Sequence, residues 1–271
     1  MGRANIASAP GVFVKEALGP APTRYTSGCC PKSLRTRFVI TGPDHLFALP
    51  DSAALLRDEL DGVAEHASRQ PNGRALLLQA CAANRELAID TRHLVPVRQH
   101  VERDRLGGDV SCMADALPWE DDAFRLVLVQ HAGDVLPSRG TLIDELARVL
   151  APGGVLLWYG LNPWSPWLAW MHWQARHGLP LPRTAPADIT RRRLLRRQLA
   201  PVSIDYVGAC WPHRGERSAI HAMGLLAPMR GAYLLTASKQ RAVLTPLRPR
   251  FVRERVRIHP QLATPSHRAC A

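Results

Sequence analysis

The 271-residue sequence has no run approaching about eighteen uninterrupted apolar residues, which excludes an ordinary transmembrane helix. It has few cysteines, and they are scattered: Cys29, Cys30, Cys81, Cys112, Cys210 and Cys270 form no C-x-x-C pair. That spacing argues against a zinc site or a disulfide framework, so no metal is expected and a reducing, cytoplasmic setting is the reading. The N-terminus lacks the basic–apolar–small pattern of a secretory signal, and no internal repeat is visible. Acids are scarce too, with 23 Asp and Glu against 35 Lys and Arg. What remains is ordinary: 46% hydrophobic and 21% charged residues, a composition that excludes wholesale disorder and lets a chain of this length bury a core unaided.

The net charge of +12 suggests a nucleic-acid-binding protein until it is divided along the chain. Residues 1–43 carry +5, the cluster Arg191, Arg192, Arg193, Arg196 and Arg197 adds +5, and residues 240–271 carry +6, which leaves the rest mildly acidic. The basicity therefore belongs to two tails and one helix face. Residues 1–43 are expected to be disordered or to reflect a misassigned start, with Phe38-Val39-Ile40 their sole strand candidate. Residues 44–239 are expected to form the folded domain, and 240–271 a basic, proline-interrupted tail. The tail has no aromatic interleaving, so its expected partners are polyanions, nucleic acid included, bound weakly and without sequence preference.

Within the domain, Asp51-Ser52 reads as an N-cap opening a helix to about residue 68, with Leu55, Leu56, Leu60 and Val63 inward and Glu59, Asp61 and Glu65 outward. Pro71-Asn72-Gly73 ends it, and 75–78 is a buried strand. Residues 94–101 form a second strand, edge-like because of Pro96, and 110–114 a third. The clearest pattern is a strand at 124–129, a helix at 141–150, a Pro-Gly-Gly turn and a strand at 155–159, which is the strand–helix–strand order of a parallel sheet. A basic helix at 189–199, a strand at 202–207, a helix at 219–226 and a strand at 232–237 complete the pattern.

The residues from Ala114 to Gly154 also carry a resemblance. Ala114-Asp115-Ala116-Leu117-Pro118-Trp119, Asp121-Asp122-Ala123-Phe124, Gln130-His131, a helix with Glu145-Leu146-Ala147-Arg148-Val149-Leu150, and Pro152-Gly153-Gly154 arrive in the order of the type 11 family of class I S-adenosylmethionine-dependent methyltransferases. Asn162-Pro163-Trp164-Ser165 resembles a variant from a bacterial subgroup of it. The resemblance implies a doubly wound, mostly parallel, Rossmann-like α/β sheet flanked by the basic tails. It implies S-adenosylmethionine as cofactor and transfer of its methyl group to a small-molecule or other acceptor, by proximity more than by acid–base chemistry.

It also implies roles. Asp115 and Ala116 match the pair beside the adenine, Asp90 and Glu102 are the candidates for the acid on the ribose, and Gln79, Ala80, Cys81 and Gln130 line the cofactor. His131 and Asn162 face the substrate, His131 as a general base or contact. On the residues alone, Asp115 reads as a loop cap or a solvated acid and His131 as a polar residue ending a strand. The sequence departs from the family where a glycine-rich loop should follow the first strand: Ala80, Ala82 and Asn84 stand there instead, and a left-handed alanine would cost about 1 kcal/mol or more. The alternative function is therefore a catalytically inactive, methyltransferase-like scaffold with a polyanion-binding tail.

One further feature is the tryptophan series Trp158, Trp164, Trp167, Trp170 and Trp173. Three-residue spacing drifts about 60° per step around a helix, so the later four cannot share a narrow stripe. The segment reads as a helix packed on the sheet edge, or as a lid or interfacial surface. The arginine cluster reads as a solvated helix face, or as a contact for phosphate or acidic lipid.

Overall fold

The computed structural model describes residues 42–212 and 224–240. The expectations for Phe38-Val39-Ile40, for most of the helix at 219–226 and for the arginine-rich tail fall outside the described residues. The apolar runs become strands: β1 (Arg74–Gln79), β2 (Val95–Glu102), β3 (Arg105–Gly108), β4 (Cys112–Met113), β5 (Phe124–Gln130), β6 (Leu150–Leu161), β7 (Leu199–Val207) and β8 (Ala232–Lys239). They join in one sheet in the order β4-β3-β2-β1-β5-β6-β8-β7. β1 runs parallel to β2 and β5, and β5 parallel to β6. β8 is antiparallel to both of its neighbours, and β3 to both of its own. The result is the expected doubly wound, mostly parallel α/β sheet. Strands β1, β2, β5, β6 and β7 all end at one edge, where open α/β sheets bind their ligands.

Alternation along the strands divides the core between the two faces. Leu76, Leu78, Val127, Val129, Leu156 and Trp158 pack under α4 (Arg139–Val149), α5 (Trp167–Arg176) and α6 (Ala187–Arg196). Ala75, Leu77, Leu126, Leu128, Leu157 and Tyr159 pack under α2 (Val63–Ser68). Packing around the short helix α3 (Ala132–Val135) leaves no room for a methyl group at Gly133, where a Cβ would overlap the Trp158 indole. Gly133→Ala is expected to destabilise the protein by about 1–3 kcal/mol through overpacking, read as a lower urea midpoint with unchanged slope.

Three expectations about the first helix are corrected. The helix expected from residue 52 to 68 is two helices, α1 (Ala53–Asp58) and α2, separated by a turn in which Gly62 takes φ 89°. Glu59, expected to point outward, is fully buried: its N–H still donates to the Leu55 carbonyl at 3.0 Å, and four and three positions after Leu55 and Leu56 it shares their inward face. Ser52 does not cap the helix; its hydroxyl donates to the Leu46 carbonyl at 2.8 Å.

β2 is not an edge strand, since it lies between β1 and β3. Proline is tolerated there because β3 reaches only Gln99 to Glu102, so Pro96 sits where β2 has a partner on one side alone. The third strand at 110–114 is reduced to β4, preceded by the short hairpin strand β3.

Candidate active site

Each candidate is placed on the carboxyl edge of the sheet or on the turn beside it. β1 ends at Gln79, β2 at Glu102 and β5 at Gln130, while Asn162 follows β6 directly. Asp115 and Ala116 form the exposed turn after β4. Topology thus brings to one edge residues that span more than 80 positions in sequence.

The Asp115 turn is held by α4. Arg148 donates to the carbonyls of Leu117 (3.0 Å) and Trp119 (2.8 Å) and to the carboxylate of Asp121 (2.8 Å). It also pairs with Glu145 at 2.7 Å, and Glu145 accepts from the Leu117 N–H at 3.0 Å. The hydrogen bond from Arg148 holds the Glu145 carboxyl below its ordinary range. One helical turn separates the two side chains, so a single face of α4 grips both backbone directions of the loop. This is the physical use of the Glu-x-x-Arg spacing: it fixes the chain just downstream of Asp115 while leaving Asp115 itself exposed. A small cleft of about 120 Å³ adjoins it, lined among others by Asp104, Asp115, Ser138 and Thr141.

The loop after β1 avoids the strain expected of it. No residue from 79 to 87 has positive φ. The chain instead turns through Cys81, extended at φ −151°, into a 3-10 turn from Ala82 to Glu86. Gln79 clamps that turn, donating to the Asn84 carbonyl at 2.7 Å. Ala80 and Cys81 are buried, and burial raises the Cys81 thiol. The Asn84 side-chain Nδ2 is buried and has no partner among the described residues. A wider cleft of about 560 Å³ runs beside this loop, lined by Arg57, Leu60, Asp61, Ala83, Leu87, Ala88 and Asp90. That volume lies within the range of small-molecule sites.

At the end of β5 lies a buried charge network. His131 is 0% exposed and left-handed at φ 57°, a conformation that histidine adopts more readily than most side chains. Its Nε2 donates to Glu59 at 2.6 Å and its Nδ1 to Asp134 at 3.0 Å. Carboxylates only accept, so both ring nitrogens carry protons and the ring is an imidazolium. Burial pulls its pKa down, but the Glu59 charge and the hydrogen bonds to Asp134 and Glu59 outweigh that and push it up to about 9. Arg139 pairs with Asp134 at 2.7 Å, giving two buried cations and two buried anions. Gln130 donates to Glu59 and to the Leu56 carbonyl, both at 2.9 Å. Phe47 stacks on the His131 ring with centroids 4.6 Å apart.

His131 and Asn162, expected to face a substrate, present almost no surface, at 0% and 1% exposure. Asn162 braces the edge: its Nδ2 donates to the carbonyls of Pro228 (2.6 Å) and Arg230 (2.9 Å), and its Oδ1 accepts from the Trp164 N–H. With every polar side-chain atom engaged, both residues hold the edge together instead of lining a cleft. Glu102, by contrast, keeps a mostly exposed carboxylate at the end of β2, beside His100 at 2.8 Å. Sequence reasoning missed Glu59, Asp134 and Arg139. Asp134 stands three residues past His131 and was within reach of a local reading, whereas Glu59 lies 72 positions away and its one local signal was its place on the Leu55 and Leu56 face.

The methyltransferase domain family model matches residues 72–158, from just before β1 into β6. Phthiotriol/phenolphthiotriol dimycocerosates methyltransferase 1 of Mycobacterium ulcerans (strain Agy99) is 42% identical over 50 residues, which is 18% of this chain and 18% of that protein. Among solved structures, a possible histamine N-methyltransferase from Thermotoga maritima aligns at 14% identity over 72% of this chain and 94% of its own, with a TM-score of 0.47. Geranyl diphosphate C-methyltransferase from Streptomyces coelicolor A3(2), in complex with Mg2+, geranyl diphosphate and S-adenosyl-L-homocysteine, aligns at 14% identity over 67% and 78%, with a TM-score of 0.41. Residues 72–158 of this chain match the methyltransferase domain model, and they supply β1 to β5 and the start of β6 in the doubly wound, mostly parallel sheet.

Proposed function

We propose that the protein is an S-adenosylmethionine-dependent methyltransferase whose cofactor lies along the carboxyl edge of β1, β2 and β5. The observation that carries this reading is the Glu145–Arg148 grip, which leaves Asp115 exposed on a fixed loop beside the ends of the parallel strands. The residues present suit an adenosine. Asp115 is an acceptor for the adenine amine and Glu102 for the ribose hydroxyls, while the Ala116 N–H, which closes the turn on the Met113 carbonyl at 3.3 Å, would share that bond with the ring. On the methionine side, Gln79, Ala80 and Cys81 shape the loop, Gln130 stands at the neighbouring strand end, and the unpartnered Asn84 amide is a donor for a carboxylate. When bound, S-adenosylmethionine supplies a methyl group activated by its sulfonium. The chain's own part is to orient the cofactor and exclude water, with His131 and Asn162 as positioning residues for the strand ends.

The test is calorimetric titration of the full chain with S-adenosylmethionine and S-adenosylhomocysteine. Saturable binding is expected, and Asp115→Ala should weaken it about ten- to a hundredfold, the loss of one charge-assisted hydrogen bond. Absence of heat and of thermal shift at millimolar cofactor, in folded protein, would overturn the enzyme and favour the scaffold reading. Binding indifferent to Asp115→Ala would move the ligand to another site, of which the cleft beside Ala83 and Leu87 is the larger.

A further inference from the structure

The exposed large apolar side chains among the described residues are unevenly distributed. Trp164, Trp173, Leu181, Ile189, Trp211 and Met229, between 40% and 76% exposed, all belong to segments that leave or re-enter the sheet at its carboxyl edge. Residues 162–186 depart from the end of β6 and return to the end of β5, where the Arg183 N–H donates to the Asp134 carbonyl at 2.7 Å and its guanidinium to the Pro137 carbonyl at 3.0 Å. Trp211 follows β7, and Met229 precedes β8. Met113, level with Glu102 across β3, lies on the other side of the same edge, and Val95 and Leu195 lie elsewhere.

Charge is just as uneven. No Asp or Glu occurs between Glu145 and Asp188, a stretch that contains Arg176, Arg183, His172 and His177. Residues 208–212 and 224–231 contain no acid either. Arg192 and Arg193, exposed on α6, follow Ile189 by three and four positions and so share its helix face.

Within α5 the tryptophans divide as a helix requires. Trp167, Trp170 and Met171 are buried, and the two indoles meet edge to face at 5.4 Å. Trp173 is left at 53% exposure and Trp164, before the helix, at 76%. The core is therefore complete without these two, and exposing them costs solvation that the fold itself does not recover.

From this we infer that the β6, β7 and β8 side of the carboxyl edge, away from the exposed carboxylates of Glu102 and Asp115, docks on an anionic lipid bilayer surface. Exposed tryptophans, with Leu, Ile and Met among cations that outnumber the nearby acid Asp188, suit the boundary between headgroups and acyl chains: indole is amphipathic, and the cations meet the surface potential of acidic lipid. Trp164 and Trp173 belong to the segment after β6 and Trp211 to the segment after β7, so two segments each bring indole to this surface. Docking in this orientation would turn the proposed methyl-transfer edge toward the membrane.

The test is co-sedimentation of the full chain with vesicles of phosphatidylcholine alone and of phosphatidylcholine mixed with phosphatidylglycerol, without cofactor, so that it stands apart from methyl transfer. Binding to the mixed vesicles is expected, falling at high salt, with a blue shift of tryptophan emission. Replacing Trp164 and Trp173 together by alanine should lower partitioning by about tenfold or more, in proportion to the apolar area withdrawn, with an unchanged melting curve. Val95→Ala, on an exposed residue at the opposite edge, should change nothing. The inference is overturned if neither vesicle binds. It is equally overturned if binding survives the double substitution unchanged, because the arginines of residues 240–271 would then suffice, or if the substitutions abolish self-association in sedimentation velocity and no vesicle binding is seen.

Discussion

Glu59→Ala is expected to destabilise the protein by about 3–5 kcal/mol, the usual cost of removing one partner from a buried ion pair. The Glu59 carboxylate accepts from both His131 and Gln130 with no exposure to water. Its removal leaves two buried donors without acceptors and a buried cation balanced only by Asp134, which Arg139 already shares. The pH dependence follows from the direction of the His131 shift. Its folded pKa, pushed up to about 9, lies above the ordinary value of 6.5. The network's contribution is therefore complete below about pH 6.5 and is lost as pH rises through 9, a difference of about 3 kcal/mol for a shift of this size. Urea midpoints at pH 6.5 and pH 9.5 should separate accordingly, and in Glu59→Gln they should converge, since the charge that sustains the imidazolium is gone. Wild-type midpoints that coincide across that window would show that His131 is buried neutral and that the network is held by hydrogen bonds alone.

The same network marks the limit of what the sequence discloses. β5, α4 and β6 were legible because their apolar residues follow strand and helix periods and their connections are short. The Asp115 turn was legible from its flanking pattern, and the clamp that explains it lies within about 35 residues along the chain. Glu59 was misread because its charge argued for the outer face, although its helical position four and three residues after Leu55 and Leu56 is the inward one; what satisfies a carboxylate there is His131, far along the chain. Pro96 misled in the other direction, since its effect depends on how far β3 extends, which is a property of the assembled sheet. In the loop after β1, the missing glycines suggested strain, but a 3-10 turn clamped by Gln79 needs no left-handed residue. His131 and Asn162 were chosen for chemistry at a strand end. Their burial depends on α1, on Phe47 and on residues 228–231, none of them adjacent in sequence.

Arg148→Ala is expected to couple stability to cofactor binding more tightly than any other single change in the adenine region. The guanidinium bridges two backbone carbonyls and two carboxylates, a set that only its planar fork can satisfy together. Its loss frees the segment from Leu117 to Asp121 and leaves the partly buried Glu145 without its cation. The side chain is about one third exposed, so water relieves part of the cost, and a loss of about 1–3 kcal/mol in unfolding free energy is expected. The effect on S-adenosylmethionine should be larger than contact alone would give, since Arg148 is not itself placed against the ligand. A loop free to sample other positions holds Asp115 and Ala116 in register only part of the time, and apparent affinity falls by that fraction, to about one tenth or less if the aligned state becomes the minor one. Arg148→Lys separates charge from geometry: the ammonium keeps the ion pair with Glu145 but cannot reach both carbonyls, so it should recover most of the stability and little of the affinity. The measurement pairs calorimetric titration with urea unfolding for wild type and both variants. If Arg148→Ala binds the cofactor as wild type does while unfolding earlier, then the clamp serves the fold alone, and the adenine is held by something other than the Asp115 turn.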